Sequence, residues 1–154
     1  MNIYLMENGL WKYFENVDPS ELAKRNISIG AGARIGELAS IGEGASIGAR
    51  ASIGEWAIIG AWASIGECAS IGAWARIGEG ASIATSFHCV MMGPLGSRAS
   101  MLTGYMHKKE LWIGTGCYLG TVTDFEARVK KVHGDNEHSL RYQKAIRFFR
   151  EYFG

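Results

Sequence analysis

An isoleucine returns at every sixth position from Ile29 to Ile83, and this period limits the possible folds more than any other feature of the chain. An alanine lies two positions before nearly every one of these isoleucines, and glycines follow them from Gly30 to Gly78. Six residues fit neither the 3.6-residue turn of an α-helix nor a heptad, but they fit a short strand followed by a regular corner. The repeat therefore predicts a stack of coils made of short strands.

The alternation within each unit separates an inner from an outer side. Successive side chains of a strand point to opposite faces, so each isoleucine shares a side with the alanine two positions earlier. The Ser or Arg between them takes the other side, which leaves the Ile-Ala side as the core. We expect the glycine after each isoleucine, Gly54 for example, to form the corner, because a residue without Cβ bends at low cost.

The units I-G-x-x-A-[S/R] run over residues 27–84 without an insertion and resemble the hexapeptide-repeat family. This resemblance implies a left-handed parallel β-helix with three hexads in each triangular coil. The left hand comes from the resemblance alone, because general crossover rules favour the right hand. Proteins of this family are typically homotrimers and most often acyltransferases that use acetyl-CoA or acyl-carrier protein.

Three regions follow from the repeat and its flanks. Cys89, Leu95 and Met101 fall on the same six-residue grid, so the predicted β-helix extends over residues 27–102. Residues 1–26 form an N-terminal cap, and residues 103–154 form a C-terminal β-hairpin followed by two α-helices. The predicted fold class is mainly β, a left-handed parallel β-helix with these additions at its ends.

Turn and capping residues support the flanking elements. Asn8-Gly9 predicts a hairpin over residues 2–14, and Asp18 before a proline predicts the start of a short helix. The spacing of apolar residues predicts one helix from Thr123 to Val132 and a second from Glu137 to Phe153.

Sorting the outward positions at eighteen residues per coil shows one apolar face. Such a patch usually marks an interface, although the chain's own terminal segments are an alternative cover. We predict a homotrimer whose interface contains Leu38, Trp56, Ile58, Trp74 and Met92.

Composition excludes several classes of function. The formal net charge of +1 gives no reason to expect a nucleic-acid polymer as partner. The three cysteines are widely spaced and odd in number, which argues against a disulfide framework and favours a reduced, cytoplasmic setting. No segment approaches the roughly 18 apolar residues of a membrane span, so we expect no membrane association.

Two glycine-rich stretches follow the repeat, and both carry hydroxyl side chains near an arginine. Backbone N–H groups and a guanidinium in this setting can hold a phosphate or carboxylate, although the glycines could simply form corners and bulges. The stretches, with the later His133–His138 segment, also resemble small phage- or prophage-encoded proteins. That resemblance implies a trimer, located in the host-cell cytoplasm, that sequesters a nucleotide-like host signalling molecule at subunit junctions. The predicted ligand-binding residues are Ser97, Arg98, Thr115, Gly116, Cys117 and Thr121.

Catalysis and metal binding have weaker support in the sequence. His88 is the one candidate general base near the repeat, and an ordinary surface histidine is the favoured explanation of it. His133 and His138 flank a short polar linker, but helix capping by Asp135 or Asn136 explains that segment without a metal. We therefore predict a non-catalytic binding protein without a cofactor or metal. An acyl-CoA-dependent acyltransferase is the first alternative, and a structural trimeric spacer is the second.

Overall fold

The computed structural model describes all residues from 1 to 154, and they form two compact units, Met1–His88 and Cys89–Gly154. The first unit is a β-solenoid of about three turns. The second unit is a four-stranded antiparallel sheet with two long helices. The predicted mainly β fold, with a solenoid and two helices near the C-terminus, is confirmed.

Ten two-residue strands build the coils, and they lie in three parallel sheets. Each strand pairs with a strand eighteen residues away, as Ile53 does with Ile71, which confirms the coil length taken from the repeat. The strands are β3 (Ser28–Ile29), β4 (Arg34–Ile35), β5 (Ser40–Ile41), β6 (Ser46–Ile47), β7 (Ser52–Ile53), β8 (Ile58–Ile59), β9 (Ser64–Ile65), β10 (Ser70–Ile71), β11 (Arg76–Ile77) and β12 (Ser82–Ile83).

The isoleucine and alanine columns form the interior of the solenoid, as the alternation predicts. Ala51 and Ile53 are buried, whereas Ser52 between them is half-buried on the outside. Each isoleucine buried in this way contributes on the order of 1.5–3 kcal/mol of hydrophobic free energy. At the lower end of the stack, Ile29 and Ile35 are only half-buried.

The glycine after each isoleucine is required for close approach between coils, and the prediction of special backbone freedom at this position is wrong. Gly54 does not have a positive φ. A Cβ on Gly54 would overlap the backbone of Gly72 and Ala73 in the next coil, at less than 3.0 Å. Glycine lets the two backbones touch, because any side chain here would push the coils apart.

The left-handed conformation occurs two residues after that glycine, at the true corner. Few residues other than glycine adopt it readily, and it costs them about 1–2 kcal/mol. Packing onto the coil below compensates: Trp74 stacks on Trp56 with ring centroids 5.3 Å apart and planes 6° apart. The corner residues are Asn26, Gly32, Leu38, Gly44, Arg50, Trp56, Trp62, Cys68, Trp74 and Gly80.

The N-terminal residues extend one sheet of the solenoid. Strands β1 (Ile3–Glu7) and β2 (Leu10–Phe14) form the predicted hairpin, and helix α1 (Pro19–Ala23) follows it with Asp18 as N-cap. Strand β1 pairs in parallel with β5. Its inward residues Ile3 and Leu5 are fully buried, so the hairpin covers apolar core that the lowest coil would otherwise expose.

The coils end at Ile83, so the prediction of a β-helix to residue 102 is wrong. After a short 3-10 turn at Ser86–His88, strand β13 (Cys89–Leu95) pairs antiparallel with β14 (Ser100–His107). Ala84 stands where the lower coils have glycine, and its Cβ occupies the space that a further coil would need. The segment from Leu95 to Met101 resembles the repeat unit in sequence, but it contains the hairpin turn between β13 and β14.

The C-terminal unit continues with β15 (Glu110–Thr115), β16 (Tyr118–Thr121), α2 (Val122–His133) and α3 (Glu137–Phe153). The sheet has the order β13-β14-β15-β16, so the predicted β14–β15 hairpin is its centre. Both predicted helices are present, and side chains of Thr121 and Asn136 cap their N-termini. No helix of the chain is both long and apolar enough to cross a membrane. The buried core of this unit consists of Leu102, Leu111, Ile113, Val122, Phe125, Val129, Ala145, Ile146 and Phe149.

Glycine allows close approach between coils at some positions and the left-handed conformation at others, and alanine substitutions separate these two roles. We expect Gly54→Ala to lower the free energy of unfolding by on the order of 3 kcal/mol or more, because its Cβ meets backbone that cannot rotate away. Gly32→Ala should cost only about 1 kcal/mol, because it strains a left-handed corner and meets the movable Arg50 side chain at 3.3 Å. Urea denaturation of the two variants measures both values. Equal losses would contradict the close-approach explanation.

Candidate functional site: a cleft in the C-terminal unit

Two hairpin turns lie at the same edge of the C-terminal sheet and form one wall of a cleft. The turn between β13 and β14 contributes Ser97 and Arg98. The turn between β15 and β16 is the two residues Gly116 and Cys117, with Thr115 at the end of β15 before it. Because β14 runs antiparallel to β15, the start of the former lies beside the end of the latter, which brings the turns together.

One face of helix α2 forms the opposite wall. The residues of α2 that line the cleft are spaced by one, three or four positions, which places them on one side of an α-helix. Phe125 and Val129 at the base of this wall belong to the buried core, whereas Arg128 is exposed. Helix α3 adds Tyr142, whose ring meets the Phe125 ring edge-on at 5.5 Å. The α2 residues in the lining are Phe125, Arg128, Val129, Val132 and His133.

The lining of the cleft contains basic side chains but no acidic ones. Arg98, Arg128 and His133 line it, and no aspartate or glutamate does. The Arg98 Nη1 atom lies 3.9 Å from Cys117 Sγ, and the Arg128 guanidinium lies 5.9 Å from the centre of the Tyr118 ring. Both guanidinium groups therefore point to cleft residues, so their charge is available to an anion that enters.

Two tyrosines supply ring faces and neutral hydroxyls. The Tyr118 hydroxyl donates a hydrogen bond to the backbone oxygen of Thr121 at 2.8 Å. Burial raises the pKa of Tyr118, and the carboxylate of Asp124 raises it further. Burial also raises the pKa of Tyr142, with a smaller contribution from Cys117. Both phenols thus stay protonated near neutral pH, where they add no negative charge to the cleft.

Thr115 has a buried hydroxyl without a hydrogen-bond partner in this structure. The residue is 8% exposed and lines the cleft, and its Oγ1 atom is inaccessible to solvent. Leaving such a group unsatisfied costs about 1–3 kcal/mol. Because protein atoms cover this oxygen, a polar group bound in the cleft would complete its hydrogen bonding only after a small movement of the Thr115 side chain or its neighbours.

The size of the cleft limits what it can hold. Its volume is about 230 Å³, below the roughly 300–1,000 Å³ typical of sites for drug-sized ligands. A small molecule with one anionic group and one ring fits the combination of cations, hydroxyls and aromatic faces. A large dinucleotide does not fit as a whole.

The structure brings together five of the six residues predicted to bind a ligand: Ser97, Arg98, Thr115, Gly116 and Cys117. The sixth, Thr121, lies outside the lining, and its Oγ1 accepts a hydrogen bond from the Asp124 backbone N–H at 3.3 Å. Its role as the N-cap of α2 replaces the predicted ligand contact. Whether the other five bind a ligand stays a prediction.

Sequence reasoning missed the contribution of the helices to this cleft. Arg128, His133 and Tyr142 line it from α2 and α3, yet their sequence patterns indicate only helix faces and a polar linker. The signal was available in part, because Arg128 and His133 lie one turn from the apolar stripe of α2. Which helix face would meet the hairpin turns depends on packing that periodicity does not specify.

Two of the other candidate residues, His88 and His138, lie outside the lining of the cleft. His88 is exposed at the end of the 3-10 turn in the first unit and does not line the cleft. The rings of His133 and His138 lie 5.6 Å apart. No group of three His, Cys, Asp or Glu side chains is arranged to hold a metal ion.

The predicted interface residues are divided between the two units. Trp56 and Trp74 stack on the outside of the solenoid, 41% and 60% exposed, and both lie at its corners. Leu38 and Ile58 are half-buried on the same face. Met92 lies on β13 of the antiparallel sheet, so its assignment to this column of the solenoid is wrong. The error follows from extending the eighteen-residue spacing beyond the last coil.

Comparisons of the chain with protein-family models, with curated proteins and with solved structures find no match. The resemblance of the repeat to the hexapeptide-repeat family therefore stays a prediction.

Two threonines at the edges of this site provide a test of the unsatisfied hydroxyl. We expect Thr115→Val to raise the free energy of unfolding by about 1 kcal/mol without ligand, because it removes an unpaired buried oxygen and keeps the side-chain shape. Thr121→Val should lower it by about 1 kcal/mol, because it removes a helix cap. Chemical denaturation checks both signs. A destabilised Thr115→Val variant would show that its hydroxyl is already satisfied.

Proposed function

We propose that the chain is a non-catalytic binding protein whose C-terminal cleft holds a small phosphate- or carboxylate-bearing ligand. The observation that carries the proposal is the unpartnered Thr115 hydroxyl in a cleft lined by cations and by no carboxylate. A buried polar group without a partner is costly to stability, so its presence in the same cleft as two guanidinium groups favours a binding role.

The cleft residues divide the recognition of such a ligand between them. Arg98 and Arg128 attract the anion, and a guanidinium can donate two parallel hydrogen bonds to phosphate or carboxylate oxygens. Thr115 donates or accepts one further hydrogen bond. The rings of Tyr118 and Tyr142 offer apolar faces to a planar group such as a nucleobase. These residues belong to one chain, so we propose one ligand per chain in place of a site shared at a subunit junction.

We further propose that the chain forms a homotrimer through the apolar face of the solenoid. Trp56 and Trp74 stay 41% and 60% exposed although their rings stack on each other, and a second copy of the chain would bury their outer surfaces. The same sheet continues into the N-terminal hairpin, whose Tyr4 and Tyr13 rings lie 5.5 Å apart. Leu38, Trp56 and Trp74 lie eighteen residues apart in one corner column, so each copy of the chain would bring the same apolar column to the interface.

Titration calorimetry tests ligand binding. We expect nucleoside monophosphates or cyclic nucleotides to bind the wild type, and the corresponding nucleosides without phosphate to bind at least about tenfold more weakly. Arg98→Gln and Arg128→Gln should each weaken binding on the order of tenfold, because each removes a charge from the cleft. Arg141→Gln is the matched control, since Arg141 pairs with Glu137 on the surface and should leave affinity unchanged.

Two results would replace this proposal. Absence of heat with every phosphate- and carboxylate-bearing probe would remove anion binding as the function. Turnover of acetyl-CoA with an amine or sugar acceptor, lost in His88→Ala, would instead establish the acyltransferase alternative. The spacer alternative predicts a trimer that gives neither heat nor turnover.

Light scattering during size exclusion tests the assembly. We expect three chain masses for the wild type, and dissociation on combining Trp56→Ser with Trp74→Ser, because the stacked rings are the largest exposed apolar groups of the proposed interface. Trp62→Ser is the matched control: Trp62 is 58% exposed at a different corner column, and its replacement should keep the trimer. A monomeric wild type, or an assembly that survives the double substitution, would contradict the proposed interface.

A further inference from the structure

The three cysteines of the chain have different surroundings. Cys89 is buried, and this burial raises its pKa to about 12, so it remains an unreactive thiol. Cys68 is exposed at a solenoid corner, beside the ion pair of Arg50 with Glu67. Cys117 is exposed and is the one cysteine in the lining of the cleft. Cys117 therefore combines access with a built surface around its sulfur.

The surroundings of Cys117 favour small anionic reactants. Arg98 Nη1 lies 3.9 Å from the sulfur, and Arg128 and His133 line the same cleft. A nearby guanidinium attracts a negatively charged reagent to the sulfur. Independently of the cysteine, the buried and unpartnered Thr115 hydroxyl indicates that a polar molecule belongs in this cleft.

We propose that Cys117 is a modification site that forms a mixed disulfide with small anionic disulfides. The proposal rests on the anion-attracting cleft of the proposed function and adds covalent chemistry to it. A molecule of this class carries carboxylates for Arg98 and Arg128 and a disulfide for Cys117. Because the adduct fills the cleft, modification excludes the reversible ligand.

The reaction is a thiol–disulfide exchange in which the small disulfide is the oxidant. The Cys117 thiol loses its proton to solvent, and its sulfur attacks one sulfur of the small disulfide. A bond forms between Cys117 Sγ and that sulfur, while the disulfide bond of the reagent breaks. The electron pair leaves with the other sulfur as a thiolate, which takes up a proton. Cys117 is oxidised to the mixed disulfide, and half of the reagent is reduced to a thiol.

Intact-mass measurements with two disulfides of opposite charge test the proposal. Glutathione disulfide is the anionic probe and cystamine is the cationic probe. The quantity compared is the rate of glutathione adduct formation divided by the rate of cystamine adduct formation. We expect this ratio to be on the order of tenfold higher for Cys117, measured in Cys68→Ser protein, than for Cys68, measured in Cys117→Ser protein. Arg98→Gln should remove most of this preference, whereas Arg141→Gln should keep it.

The outcomes separate this proposal from the proposed function. Equal preference of Cys117 and Cys68 for the two probes, or a preference that Arg98→Gln leaves unchanged, would overturn the modification site. Calorimetry with nucleoside monophosphates on Cys117→Ser protein then shows whether reversible binding persists without the thiol. Heat retained there means that only the covalent proposal has failed. We expect the glutathione adduct of Cys68→Ser protein to lose this binding, and retained binding would show that the adduct lies outside the cleft.

Discussion

The solenoid depends on backbone-to-backbone contact between successive coils. At the seven glycines that follow isoleucines from Gly30 to Gly66, the chain approaches the next coil so closely that only a hydrogen atom fits, as at Gly54 against Ala73. This contact keeps the hydrogen bonds between coils at normal length, for example 2.8 Å from Gly54 N to Ile71 O. This glycine is absent at the end of the coils, where Ala84 follows the last isoleucine, Ile83.

The close stacking has a consequence at the corners. Because the coils are in register, each corner side chain lies over the corner residue eighteen positions earlier. A large ring therefore packs against the coil below when that earlier residue is another ring or a glycine. Trp74 lies on Trp56, and the ring of Trp62 covers Gly44, where a Cβ would overlap it. The contacts between coils offset the left-handed strain of these residues. Their outer ring surface stays exposed, and it supports the proposed association of copies.

The sequence was sufficient for everything that depends on local period and capping. The six-residue repeat predicted the coil and its core, and capping residues with apolar spacing predicted the final helix with its observed bounds, Glu137–Phe153. It misled where a period matched by chance: Leu95 and Met101 fall on the grid, yet their strands pair antiparallel. The loss of glycine at Ala84 was the signal for this change. This signal can be interpreted only once it is known that glycine is needed for the close approach of two coils and not for backbone flexibility.

The candidate site shows the same division between local and tertiary information. Glycine, hydroxyl and arginine side chains in the sequence singled out the residues of both turns, although a coil was predicted over the first turn and no hairpin at the second. The wall formed by Arg128, His133 and Tyr142 depends on how two helices pack on a sheet, which their own periodicity leaves open. Thr121 shows the reverse error, since a threonine before a helix is more simply a cap.

The central claim is that the C-terminal cleft is built to hold an anion. A crystal structure of the protein with a nucleoside monophosphate tests it most directly. The account predicts that the phosphate lies between Arg98 and Arg128, with a ligand oxygen or nitrogen within hydrogen-bond distance of Thr115 Oγ1. A ligand bound elsewhere, with the Thr115 hydroxyl bonded to the protein itself, would contradict it.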